Sequence, residues 1–175
     1  MPIEINWEAG APPPDLDEAL LRRGLATFLQ VLGREGFGLS LVFAGDEELR
    51  ALNRDHRGLD RATDVLSWCY DESPEISAHP DLDGRNGVPP LWGELALSLE
   101  RAQAQARQNG WSREVELMRL LAHGCAHLAG YGHDTPEEER VMLGWERKML
   151  AAAGVSDLYP LPEGLDDGGT NEEGA

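Results

Sequence analysis

A chain of 175 residues with 41% hydrophobic content is long enough to bury a core, and no run approaches about 18 uninterrupted apolar residues, so the sequence offers no membrane-spanning helix. The formal net charge of −17 argues against a broad surface for nucleic acid; residues 163–175 alone contribute −5, which leaves −12 on the rest. Any contact with RNA is therefore expected to use a confined basic patch.

Ile3, Ile5 and Trp7 alternate with polar residues and predict a short strand. After the proline-rich break Ala11–Pro14, Asp15 is the expected N-cap of a helix whose Leu16, Leu20, Leu21, Leu25, Phe28, Leu29 and Leu32 recur at helical spacing up to Gly33. Phe37, Leu39, Leu41 and Phe43 alternate and predict a second strand, and Asp46–Asn53 a short helix. Residues 54–64 read as a polar loop, Val65–Trp68 as a third strand, and residues 71–92, with four prolines, as a long irregular excursion. Glu94–Leu99 reads as a fourth strand and Arg101–Asn109 as a polar helix ended by Gly110. Ser112 caps the next helix, whose apolar positions run into His123 and His127. Thr135-Pro136 opens the last helix, with Glu137, Glu138 and Glu139 at the positive end of its dipole and Met142, Leu143, Trp145, Met149 and Leu150 facing the core.

Strands and helices do not alternate strictly, so the expected fold is α+β: roughly four strands in a mixed sheet, packed with about five helices around a central histidine-bearing helix. One domain over residues 1–162 and an acidic, disordered tail over 163–175 are expected. Cys69 and Cys125 make no disulfide framework, and Met1-Pro2-Ile3-Glu4 lacks the basic and apolar regions of an export signal. Reduced thiols in a cytoplasmic protein are the expectation.

Three of the five histidines fall within residues 123–133. His123 and His127 are four apart and share one helix face. Gly130 can take the left-handed conformation that ends a helix, and His133 then returns on the loop. Three imidazoles meeting at one point would leave a tetrahedral ion an open position, the arrangement of catalytic zinc. Nickel, copper or iron would also suit such donors. The spacing matches the ligands of the extended H-E-x-x-H-x-x-G-x-x-H zinc motif, and with it a zincin-like layered fold. Gly124, however, stands where zinc peptidases carry the glutamate base, which counts against peptide hydrolysis. Cys125, two residues from His123, points away from that face and reads as a small buried thiol. Asp134 reads either as a residue orienting a ligand histidine or as an N-cap.

Arg54, Arg57 and Arg61 form the densest basic cluster of an acidic chain. Their forked donors suit phosphate oxygens, although ion pairs with Asp55, Asp60 and Asp64 would occupy them equally well. Trp68 and Tyr70 just downstream are candidates for stacking on unpaired bases, or for rim packing.

His123-Gly124 through His127-Leu128 and Gly130-Tyr131 to His133 resemble the H-G-x-L-H-L-x-G-Y-D-H signature of the YbeY family of bacterial metal-dependent endoribonucleases. Asn53, Arg57, Asp60 and Thr63–Ser67 resemble that family's N-x-x-x-R-x-x-D-x-P-T-D-V-L-S-F segment, and Gly93-Glu94 to Ser98 its G-D-I-x-I-S strand. Gly132 departs from the aspartate before the third histidine, with Asp134 the candidate to replace it; Ala126, Ala62 and Trp68 are smaller departures. The resemblance implies His123, His127 and His133 as zinc ligands and Arg57 as the functional arginine. It also implies cleavage of single-stranded RNA, not DNA, in 16S rRNA 3′-end maturation and ribosome quality control. The small ribosomal subunit or its assembly factors would then be partners. No dedicated general base stands out: metal-bound hydroxide or the substrate's own 2′-OH is a candidate for attack, and His56, to which the resemblance does not point, for proton transfer. Two other classes remain open, a zinc peptidase and a non-catalytic ribosome-assembly factor whose metal is structural.

Overall fold

The computed structural model describes residues 3–8, 10, 12–57, 65–69 and 90–155, with the backbone alone at His56 and Arg57. In chain order these form β1 (Ile3–Trp7), α1 (Glu18–Val31), β2 (Gly38–Phe43), α2 (Asp46–Arg57), β3 (Val65–Cys69), β4 (Leu91–Leu97), α3 (Leu99–Asn109), α4 (Arg113–Leu128) and α5 (Pro136–Ala152). The expected excursion at 71–92 lies outside the described residues up to 89, as does the acidic tail.

The sheet order is β1-β2-β4-β3. β1, β2 and β4 run parallel, with Ile5 beside Leu41 and Leu41 beside Leu95, and β3 lies antiparallel to β4 with Leu66 beside Ala96. The fold is thus α+β with a mixed sheet, as the uneven order of elements predicts.

Alternation along the strands separates two layers. Leu39, Leu41, Phe43, Leu95 and Leu97 face one side, where they join Leu21, Leu25 and Phe28 of α1, Leu117 and Leu121 of α4, and Met149 of α5 in the main core. Val42, Leu66 and Ala96 face the other side and pack with Ala44 and with Leu49 of α2, flanked by Leu52 and Trp68. α4 is the central helix of the main layer, touching α1, α3, α5, β3 and β4.

Several element ends differ from the sequence expectation: β4 begins at Leu91, so Leu91 and Trp92 are strand and not part of an irregular excursion, because Gly38 and Leu39 of β2 pair with Leu91 and Gly93. Asp17, not Asp15, caps α1: its carboxylate accepts the Leu20 N–H at 3.1 Å. Asp15 lies before the helix and pairs with Arg113 at 3.5 Å. The fourth strand stops at Leu97, because Ser98 turns inward and its hydroxyl accepts the Arg101 N–H at 3.1 Å, starting α3 one residue later. α2 continues through Arg57 instead of ending at Asn53, since no residue from 54 to 57 breaks a helix before Gly58. Gly110 and Ser112 act as expected, with Gly110 left-handed at φ 76° and the Ser112 hydroxyl capping α4; α5 opens at Thr135-Pro136 as expected, with the Thr135 hydroxyl as its cap.

Candidate metal centre

α4 lies unusually close to the sheet at two glycines. A Cβ on Gly124 would come within 2.8 Å of Leu95 Cδ2 and 3.3 Å of Val65 Cγ2. A Cβ on Gly93 of β4 would meet the Trp68 carbonyl oxygen at 2.5 Å and Leu128 Cδ2 at 2.8 Å. Gly124 therefore does more than lack the peptidase base: its Cβ direction points into the sheet, and no glutamate fits there. The histidines on either side of this contact inherit a fixed helix position.

α4 ends in a paired glycine turn. The Gly130 N–H donates to the His127 carbonyl at 3.0 Å and the Tyr131 N–H to the Ala126 carbonyl at 3.1 Å, with Gly130 at φ 97°. The chain then turns back as expected, and α5 holds it. Tyr131 stacks on Trp145 with ring centres 5.4 Å apart, and Lys148 lies over the other ring at 4.7 Å. The Asp134 N–H donates to Glu138 Oε2 at 3.2 Å, while the Glu138 N–H donates to Thr135 Oγ1 at 3.1 Å.

This brings three imidazoles together. One ring nitrogen from each of His123, His127 and His133 lies within 4.8 Å of the other two. The Nε2 atoms of His123 and His127 are 3.2 Å apart, with their rings nearly perpendicular at 87°. Two nitrogens bound to one tetrahedral zinc at about 2.0–2.1 Å would be roughly 3.4 Å apart, so the spacing suits a shared ion. His123 and His127 are half-buried and His133 is exposed, which leaves one side of the cluster open. Among the described residues no fourth histidine, cysteine or carboxylate joins the group.

Sequence reasoning missed one member of this site. Glu146 of α5, 4% exposed, meets His123 Nδ1 with its Oε1 at 2.9 Å. Its signal was legible as an acid on an apolar stripe, one turn after Met142 and one turn before Met149 and Leu150.

The other candidates fall as follows. Cys125 is fully buried outside the cluster, and burial pushes its thiol up to about 12. Asp134 is exposed and offers the site its backbone N–H only to Glu138; Thr135 is the cap of α5, so Asp134 is not. At Gly132, a Cβ would approach Glu138 Oε2 at 3.9 Å, so the carboxylate nearest the departed aspartate position is Glu138. Arg54 is exposed on α2 and contacts Asp55 at 3.4 Å, on the side of the sheet opposite α4. Arg57 ends α2; its side chain, His56's side chain, Arg61 and Tyr70 lie outside the described residues. Trp68 packs in the α2-side cluster, which favours the rim reading over base stacking.

A mixed four-stranded sheet whose central helix and its return loop converge three imidazoles defines an α+β protein with a candidate metal centre. A sequence model of the family described as Endoribonuclease YbeY matches residues 14–154, and the chain belongs to that family. Relatives called Endoribonuclease YbeY include one from Symbiobacterium thermophilum, 40% identical over 79% of this chain and 88% of its own length. One from Geobacillus thermodenitrificans is 41% identical over 70% of this chain and 76% of its own. For one from Anaeromyxobacter sp. (strain Fw109-5), 40% identical over 77% of this chain, the match spans 64% of the relative, slightly under two thirds. The solution structure of TM1509 from Thermotoga maritima shares the fold, with a TM-score of 0.51 at 20% identity over 94% of this chain and 99% of that one.

Proposed function

We propose that this protein is a zinc-dependent endoribonuclease of single-stranded RNA, with His123, His127 and His133 holding the ion. The observation that carries the reading is the 3.2 Å approach of the His123 and His127 Nε2 atoms, with His133 beside them, in a chain of the YbeY family. A divalent ion bound there would supply Lewis acidity toward a scissile phosphate and acidify a water; nickel, copper or iron would be alternatives to zinc.

The chain's own residues do the rest. The three imidazoles bind through neutral nitrogens and leave the exposed His133 side open for substrate. Arg57 is assigned the stabilisation of charge that builds on phosphorus, and Arg54 and Arg61 the holding of the backbone. Asp134, Glu137 and Glu138 line an open cavity of about 450 Å³ beside the His133 loop and make that wall repel phosphate. RNA would thus approach over the edge strand β3, with the α2 arginines on one side of it and the histidines on the other. The biological substrate is 16S rRNA at its 3′ end, in a cytoplasmic setting that includes the small ribosomal subunit or its assembly factors and ribosome quality control. Residues 1–162 would act as one catalytic domain.

A peptidase reading loses support from Gly124, where a side chain would strike Leu95. A structural metal would call for a fourth ligand, and the described residues supply three. The test is cleavage of unstructured RNA by purified protein. Wild type is expected to cut, with His127→Ala inactive and Arg57→Ala slowed about 100-fold or more. Equal cutting by all three overturns the reading, as does casein digestion by wild type without RNA cleavage.

A further inference from the structure

Two carboxylates are buried among the described residues, Glu116 and Glu146, and they are held in different ways. Glu116 is paired with a permanent cation: Arg119 Nε lies 3.1 Å from its Oε2, and the Trp111 indole N–H donates to the same oxygen at 2.7 Å. That is a closed structural ion pair within α4 and its preceding turn. Among the described residues, no lysine or arginine contacts Glu146. Its contact is His123 Nδ1 at 2.9 Å, and its 6% side-chain exposure gives water little access. Glu146 is thus held through one imidazole contact, where Glu116 has a guanidinium and an indole N–H. A cation on the far nitrogen of that ring polarises the N–H toward the carboxylate and strengthens that contact.

The geometry agrees. With Nδ1 turned to Glu146, the Nδ1–H tautomer is selected, and the Nε2 lone pair is left facing His127 Nε2 at 3.2 Å. Glu146 also comes from α5, the helix that pins the His133 loop through Trp145 and Glu138. The ring of the first ligand and the loop of the third are therefore held by one element. We propose that Glu146 is the positioning residue of the metal centre: it fixes the tautomer and ring plane of His123, so that α5 presets the site before an ion binds. This rests on the reading of the three histidines as ligands.

Zinc ion alone is the probe, titrated into the full chain against a chromophoric chelator, with the cobalt(II) visible spectrum as a second readout. Wild type, Glu146→Gln, Glu146→Leu and His127→Ala are compared, and the metal-free proteins are unfolded in urea. Glu146→Gln keeps the shape of the side chain and an acceptor oxygen, but not the charge. It is expected to weaken zinc binding about 10-fold and Glu146→Leu about 100-fold, with altered cobalt bands. The metal-free Glu146→Gln should unfold with wild type, because its amide oxygen still accepts from the Nδ1 position of His123. Zinc affinity and cobalt bands unchanged in both variants overturn the proposal. So does a loss of affinity that tracks a loss of metal-free stability, which would make Glu146 a structural residue. If wild type and His127→Ala bind zinc equally weakly, the ligand reading itself has failed, an outcome distinct from the first.

Discussion

The sheet presents Leu39, Leu41, Phe43, Leu95 and Leu97 to α4 and its neighbours, in a cluster that draws on α1, α3, α4 and α5. One strand step away in sequence, Val42, Leu66 and Ala96 face α2, where the described residues add only Ala44 and Leu49 with the flanks of Leu52 and Trp68. The three histidines belong to the thick layer, and Arg54 with the backbone of Arg57 to the thin one. Metal geometry tolerates errors of a few tenths of an ångström, so its ligands sit where packing leaves least freedom.

The most severe way to break the thick layer is at its closest seam. Gly124→Glu would drive a carboxylate between Leu95 and Val65, whose methyl carbons already lie 2.8 and 3.3 Å from the missing Cβ. A loss above about 4 kcal/mol is expected, enough to abolish cooperative unfolding in urea. Gly124→Ala should cost about 1–3 kcal/mol. A Gly124→Ala midpoint equal to that of wild type would mean that α4 can lift from the sheet, and the contrast between layers would dissolve.

Truncations on each side measure the contrast directly. Leu121 and Leu49 are both fully buried, one on α4 and one on α2. Leu121→Ala removes contacts from a cluster closed on all sides and should cost about 4–5 kcal/mol. Leu49→Ala opens a site whose described neighbours are the smaller cluster of Val42, Ala44, Leu66 and Ala96, and should cost about 2–3 kcal/mol. Urea midpoints in the reverse order would contradict the picture of a thick and a thin layer.

Much of the thick layer was legible in the sequence, because its signals are periodic or local. The spacing His123, His127, Gly130, His133 announced a helix, a left-handed turn and a return, and each stands where expected. The alternation in β1 and β2 and the cap Ser112 needed no tertiary information. What could not be read depends on partners distant in sequence. Asp15 and Asp17 are equally good caps on paper; a distant Arg113 engages the first and leaves the second to close α1. Leu99 continues the alternation of β4, but the buried Ser98 starts a helix there. Gly124 was legible as an absent base, yet its packing against Leu95 is visible only once the sheet is in place. Glu146 could be read as an acid on the apolar stripe of α5, but the ring it meets is 23 residues away and no local motif links the two.

A milder test concerns the helix that completes the thick layer. Thr135 Oγ1 accepts the Glu138 N–H at 3.1 Å and so caps α5 one residue after the His133 loop. Thr135→Ala should cost about 1 kcal/mol in urea unfolding. Zinc affinity should fall alongside, because Glu138 also carries the Asp134 N–H. If stability drops by that amount and zinc affinity is unchanged, the loop is held by Tyr131 on Trp145 instead of by the cap.

The smallest expected effect on stability falls on the thin layer and carries the most information about function. Arg54 and Asp55 are 56% and 63% exposed at 3.4 Å, so their ion pair contributes little in water. Arg54→Ala should shift the urea transition by no more than about 0.5 kcal/mol. If the α2 side meets the RNA backbone, the same change removes one phosphate contact. The slope of log affinity against log salt for a single strand should then fall by about 0.7. Zinc affinity should not move, since α4 lies across the sheet from Arg54. An unchanged salt slope would place the RNA elsewhere on this acidic chain. A parallel loss of zinc affinity would show that the two layers are coupled through β3, the strand that follows α2 and packs its Val65 against Gly124.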